Sequence, residues 1–406
     1  MRRVVAAAGA ALLLGPLAQA GGATACPGMK QSGEWGTVAL PVPSTSVTVA
    51  AKAGRPDTLY VAGTRVLYRS ADGGCTWQQA FSLDALPGTS PAKTVLTYGF
   101  DSVATGPGGT VWALAVEDTA ALFTVPLPVV VVVSRDGGVT WTARDLAVPD
   151  AAGYPRCVSP SAVLPAPLQG TAYLHCYEAT VGMVGVLVHC STSFWVTRDY
   201  AATWQPVFGS FADPARVAAA DTTLGCQPSL YGPPVADRSR ARVVWTLRGD
   251  GVWRSDKDGA APAKFAPYKD TSEFLGGMEV GPLASGAPLA VLRTNVRLLV
   301  STGGPPKPMA PIPMRVTDRG VAISGEVIDR TDTVFVAYLD GGSHAVAWTY
   351  DAVRGTWHRL GPPPKQPNKA EAWTSYPLPL IEEDPASHYA YVLTPYDVRL
   401  LRHAVR

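Results

Sequence analysis

Charge is scarce in this 406-residue chain: 16% of its residues are Asp, Glu, Lys or Arg, and 34 basic residues nearly balance 32 acidic ones. Without an excess of either sign there is no electrostatic footprint for a polyanion, so a nucleic-acid partner is not expected. Long apolar runs are also missing. Val4 to Leu14 is too short to cross a bilayer, and Leu122 to Val133 is interrupted by Pro126 and Pro128. No transmembrane segment is expected, and no cofactor motif is read.

The first of those runs follows Arg2 and Arg3 and precedes the small residues Ala18-Gln19-Ala20, the pattern of a cleaved export signal over residues 1–20. Residues 21–406 then form the mature chain, nearly neutral once Arg2 and Arg3 are gone, with an extracellular, periplasmic or cell-surface destination. Its forty glycines and thirty-seven prolines favour short strands and tight turns over helices, hence one large β domain. Six cysteines, an even number in an exported chain, point to disulfides. A rival use of Cys26 is lipid attachment, because Ala23-Thr24-Ala25-Cys26 loosely matches a lipobox. It lacks the usual branched aliphatic residue and would leave five cysteines.

One phrase repeats. Ser70-Ala71-Asp72-Gly73-Gly74-Cys75-Thr76-Trp77 returns 64 residues later as Ser134-Arg135-Asp136-Gly137-Gly138-Val139-Thr140-Trp141. After a further 63 residues it returns, weakened, as Thr197-Arg198-Asp199-Tyr200-Ala201-Ala202-Thr203-Trp204. The motif resembles the Asp-box, S-x-D-x-G-x-T-W, of sialidases and other BNR-repeat proteins, including photosystem II assembly-factor-like and sortilin-like propellers. Its logic is structural. The carboxylate accepts backbone N–H groups within a turn, glycine supplies positive φ, and the Trp packs against the neighbouring blade.

Each box follows two strand-like segments, and a third lies upstream: Ser46 to Ala51, Thr58 to Ala62, Arg65 to Ser70, then Trp77 to Phe81 after the box. Eroded copies follow at Arg242 to Gly259, Leu289 to Gly304 and Thr333 to Trp357. A seventh unit, Tyr389 to Leu393 and Val398 to Arg402, lacks its outer strand, which Gly33 to Leu40 supplies from the other end of the chain. The resemblance therefore implies an all-β, seven-bladed propeller of four-stranded antiparallel blades, closed by N- and C-terminal strands in one blade.

His175-Cys176 and His189-Cys190 suggest zinc, but strand alternation sends the two cysteines to one face and the two histidines to the other, so no metal site is expected. A hairpin centred on Met183, between Gly182 and Gly185, sets Cys176 opposite Cys190 and Gln169 opposite Thr197, which predicts a cross-strand disulfide. Cys157 with Cys226 is the second pair by proximity, and Cys26 with Cys75 the remainder.

Sialidases use an arginine triad for the substrate carboxylate, a Tyr/Glu pair and an Asp. Their first-blade arginine has no counterpart here, since Cys26 to Gly54 contains no arginine. Tyr154-Pro155-Arg156-Cys157 is not the motif either, so sialidase activity is not expected. Another glycosidase would need paired carboxylates, for which Glu117-Asp118, Glu178, Asp250, Asp340 and Asp397 lie near connections between second and third strands. Arg248-Gly249-Asp250 reads as turn chemistry. The reading reached from sequence is an exported binding or scaffold module for a polypeptide or glycan ligand, with a glycoside hydrolase as the alternative.

Overall fold

The computed structural model describes residues 29–32, 35–42, 48–51, 58–88, 90, 93, 98–117, 129–146, 159–181, 187–207, 234–248, 251–267, 275–294, 298–310, 323–339, 345–360, 380–384, 389–393 and 399–404. Among them the strands form seven antiparallel sheets, and two three-residue 3₁₀ turns, Leu83–Ala85 and Pro107–Gly109, are helical.

Sheet 1 runs Thr48–Ala51, Leu59–Ala62, Val66–Ser70 and Gln78–Ser82 in simple succession, and sheets 2 to 6 repeat that meander. Their first strands are Tyr98–Thr105, Ser159–Pro165, Val235–Ala236, Leu275–Pro282 and Ile323–Val327. Sheet 7 draws on both ends of the chain. Leu380–Asp384, Tyr389–Leu393 and Arg399–Ala404 are joined by Trp35–Ala39, paired from Trp35 opposite His403 to Ala39 opposite Arg399. This sheet departs from the expected four strands, because Lys30–Ser32 folds back on Trp35–Ala39 as a fifth. Each first strand lies against the first strand of the next sheet, and Leu380–Asp384 of sheet 7 returns to Thr48–Ala51 of sheet 1.

Sheets stacked in this way bury both faces. In sheet 2, Val111, Ala113 and Ala115 pack toward Tyr60, Ala62 and Leu67 of sheet 1, while the alternate residues Trp112 and Leu114 pack toward Leu174 and Trp195 of sheet 3. Period-two alternation thus distributes side chains between two neighbours rather than between core and solvent. The run of valines from Val129 to Val133 follows from it: the strand Val129–Ser134 is buried at every position. Each such Val or Leu removed from water is worth roughly 1.5–3 kcal/mol before chain entropy is counted.

The hairpin of sheet 3 corrects the sequence-based register. Cys176 lies opposite Ser193, Cys190 opposite Ala179, and Ala172, not Gln169, opposite Thr197. The slip is three residues. Because three is odd, this register sets positions 176 and 190 on opposite faces of the sheet, about 10 Å apart along the strands, and not opposite each other as the expected Cys176–Cys190 bridge requires. Of the described cysteines, Cys75 and Cys176, neither is a free thiol, and both are disulfide-bonded. Their pairings lie outside the described residues, as do Cys26, Cys157 and Cys226.

Sheets 7 and 1 approach closely at Gly74, at φ +90, where an added Cβ would stand 2.7 Å from Val38 Cγ2. We expect Gly74→Ala to lower stability by about 1–3 kcal/mol, through the clash and the left-handed backbone together. Urea denaturation checks this, and an unchanged midpoint would contradict the packing described.

Candidate functional site

The three well-formed boxes occupy the turns between third and fourth strands. In the first, Ser70 Oγ donates to Asp72 Oδ1 (2.7 Å) and accepts from the Gly74 amide (2.8 Å). Asp72 then accepts the Thr76 amide at Oδ1 (2.9 Å) and the Thr76 hydroxyl at Oδ2 (2.7 Å). The second box repeats this with Ser134, Asp136, Gly138 and Thr140, and Asp136 Oδ1 also takes the Val139 amide at 3.1 Å. In the third, Thr197, Asp199 and Thr203 make the same bonds, with Ala201 in place of the glycine. A hydroxyl and a carboxylate two residues apart therefore close each turn, and both carboxylate oxygens are engaged.

The cost of losing glycine shows in the third box, where Tyr200 and Ala201 hold φ of 61° and 63°. Packing offsets the strain. The Tyr200 ring stacks on Trp112 at 6.5 Å, and the Arg135 guanidinium from the second box sits 3.9 Å from the same ring.

The box tryptophans lie between sheets. Trp77 Nε1 donates to the Ala39 carbonyl of sheet 7 (2.9 Å), Trp141 packs on Phe81 of sheet 1, and Trp204 joins the cluster shared by sheets 2 and 3. In the eroded sixth copy, Trp357 Nε1 reaches the Ala310 carbonyl of the preceding sheet (2.7 Å), while Asp351 still caps the Val353 and Arg354 amides.

Burial pushes the Asp136 carboxyl up, but bonds from the Thr140 hydroxyl and amide, Ser134 and the Val139 amide outweigh it and bring it down to about 2. The same balance lowers Asp72 and Asp199. No carboxylate so engaged is free to exchange protons with a substrate near neutral pH.

The sequence-based catalytic candidates are assigned to connections between second and third strands. Asp118, Asp250, Asp340 and Asp397 lie outside the described residues, as do Arg156 and the Gly249-Asp250 part of the Arg-Gly-Asp tripeptide. Glu117 and Glu178 are placed by backbone alone, opposite Tyr98 and Ser191. His175 is buried, and burial brings it down to about 4, so it is a neutral core imidazole. Five residues separate it from Thr180, the partner of His189, an odd offset that sets the two histidines on opposite faces. Among the described residues no group of three metal-ligating side chains occurs. Nor, among them, is any helix long and apolar enough to cross a membrane.

One acid was missed. The ladder between Tyr98–Thr105 and Val111–Glu117 pairs Phe100 with Ala115 and Ser102 with Leu114, skipping Asp101. Asp101 is thus the exposed residue of a first strand, yet partial desolvation of its carboxyl pushes it above the ordinary carboxylate range. Ser161 is skipped in the adjoining first strand, where Pro160 and Ala162 pair with consecutive residues. The trace a bulge leaves is a one-residue shift of alternation, here from Tyr98 and Phe100 to Val103, which is too slight in so short a strand to have stood out.

No family model and no curated relative matches the chain. Solved structures do. A chain of a mitotic checkpoint complex superposes with TM-score 0.52 at 10% identity, covering 100% of this chain and 99% of that one. An ancestral GH74 enzyme gives 0.47 at 15% identity over 80% of this chain and 40% of its own, so this chain spans well under half of that enzyme. The Fusarium graminearum α-L-arabinofuranosidase, solved with an iminosugar inhibitor, gives 0.45 at 12% identity, covering 91% and 97%. At these identities the likeness is one of fold. Meander sheets stacked face to face define the class, a β-propeller.

Asp136 yields a pH prediction. Its folded value lies below the ordinary 3.8, so its contribution to stability is complete above that value and is lost as pH falls toward 2. The advantage of wild type over Asp136→Asn should shrink between about pH 5 and about pH 2 in chemical denaturation. A constant gap would contradict the turn electrostatics.

Proposed function

We propose that this chain is an exported, closed, seven-bladed Asp-box propeller that binds a polypeptide or glycan ligand on the face opposite its box turns. One observation carries the reading: the three intact box carboxylates have both oxygens committed within their own turns. That leaves the box end a scaffold. The succession of first-strand contacts that returns from sheet 7 to sheet 1 supports closure, and the pairing of Trp35–Ala39 with Arg399–Ala404 supports a shared last blade. Export rests on the residue 1–20 signal. Cys75 packs in one cluster with Met29, three residues from Cys26, which supports Cys26 as its disulfide partner over lipid attachment.

A glycoside hydrolase is the second reading, and Asp101 favours it. A carboxyl raised by desolvation on a first strand suits a general acid, provided a second carboxylate stands about 5 to 9.5 Å away. The undescribed connections between second and third strands hold the candidates for that partner.

Purified mature protein should show no sialoside turnover and should retain a ligand selected from immobilised peptides or glycans. Asp72→Ala should lower stability by about 1–3 kcal/mol, by leaving turn donors unpaired, without loss of that ligand. Sialoside hydrolysis abolished by changing three convergent arginines would overturn the proposal. Hydrolysis of a neutral glycan, abolished by Asp101→Asn in a folded variant, would promote the second reading.

A further inference from the structure

The fourth copy of the box has lost its tryptophan and its carboxylate position. Ser255 aligns with Ser70, but Lys257 stands where Asp72 would, and Pro262 where Trp77 would. The backbone nevertheless keeps the turn. Ser255 Oγ accepts the Lys257 amide (3.1 Å), and Asp258 and Gly259 hold left-handed φ of 57° and 97°, as Gly73 and Gly74 do at 71° and 90°. The carboxylate has moved one residue along, onto a position whose left-handed backbone aims it across the sheet boundary instead of around the turn.

There it meets three donors. Tyr173 Oη of sheet 3 donates to Asp258 Oδ1 (2.8 Å), and Arg198, in the third box, donates to Oδ2 (2.8 Å). Arg242, before the second strand of sheet 4, also donates to Oδ2 (2.9 Å) and accepts the Asp258 amide at its carbonyl (2.8 Å). The Asp258 side chain is 4% exposed, whereas the arginines are about half exposed. Burial and the bond to Asp258 raise the Tyr173 hydroxyl, so it stays protonated and donating. Two non-glycine residues in the left-handed region, Asp258 and Arg242 at φ 66°, bond to each other here. Such strain persists only where the surroundings fix it.

We infer that Asp258 is a clasp between sheets 3 and 4, and that the stack parts first at that boundary when the clasp is broken. The apolar contact it supplements is built from Tyr173, Phe194 and Val196 against Ala236 and Val244. Gly259 is pressed onto Phe194, where an added Cβ would stand 2.6 Å from Cε1, so the clasp and the apolar contact adjoin. Removing the charge leaves two half-exposed guanidinium groups on either side of the boundary without their shared anionic acceptor, and Tyr173 without its charged one, which weakens the contact between the two sheets.

Hydrogen exchange on the full mature chain tests it. Asp258→Asn keeps a residue type that tolerates left-handed φ while removing the charge. It should speed exchange about tenfold or more in Ala172–Val181 and Val244–Arg248, and less than about twofold in Leu59–Ala62 and Thr333–Leu339. Should that variant fail to fold, Tyr173→Phe removes one donor and should give the same regional pattern at smaller amplitude. A double variant, Lys257→Asp with Asp258→Gly, rebuilds the box turn without the clasp, and exchange at the boundary should stay fast. Restored protection in the double variant, or acceleration spread evenly over all sheets, or none, would overturn the inference.

Discussion

Both faces of a sheet in this stack must be covered by other sheets, and nearly everything else in the architecture answers to that constraint. Alternate residues of one strand pack toward different neighbours, as Trp112 and Ala113 do in sheet 2. An inner strand in this setting can be apolar along nearly its whole length, as Val129–Ser134 is, while exposed polar residues fall in the turns and in fourth strands such as Gln78–Ser82. The hydrogen bonds that close those turns are supplied locally, by side chains of the turns themselves.

The box is the local supply. Its hydroxyl and carboxylate satisfy the turn amides, and its tryptophan extends the turn into the boundary with the preceding sheet. Trp77 shows both functions, since its ring packs with Val38 and Leu40 while its Nε1 bonds to Ala39. Where the motif erodes, the two functions come apart. In sheet 6 Asp351 still caps amides and Trp357 still bonds the preceding sheet. In sheet 4 the turn survives on Ser255, and the carboxylate serves the boundary alone.

Much of this was legible in the sequence, because the box spacing and the strand phrase around it are set by the same local chemistry that forms the turns. The pairing of the chain's two ends was legible for the same reason: an outer strand without a blade near Trp35 and a blade without an outer strand near Arg399 complement each other. What escaped was register and bulging. Gly182 and Gly185 suggested a turn centre at Met183, yet the partners in sheet 3 are fixed by burial of pairs such as Leu174 with Trp195, and an irregularity between Thr180 and Val181 takes up the remainder. The Lys30–Ser32 strand was unreadable because three polar residues carry no apolar alternation, and the Asp101 bulge because it shifts the alternation by a single residue within one short strand.

The union of the two ends in sheet 7 also bears on how the chain reaches its native state. Sheets 1 to 6 are built from contiguous segments and can form as each is completed, whereas Trp35–Ala39, paired locally only with Lys30–Ser32, lacks its partner on the other side until Arg399–Ala404 exists. A contact between segments so far apart in sequence carries the largest loop-closure entropy in the molecule and is the natural slow step of folding. Until it is made, the face of sheet 1 bearing Leu59 and Val61 lacks its cover of Val38 and Leu40, and the strand of Arg399 presents an unpaired edge. Full-length chains are therefore at greatest risk of associating with one another in the interval between synthesis of the last strand and its capture by the first.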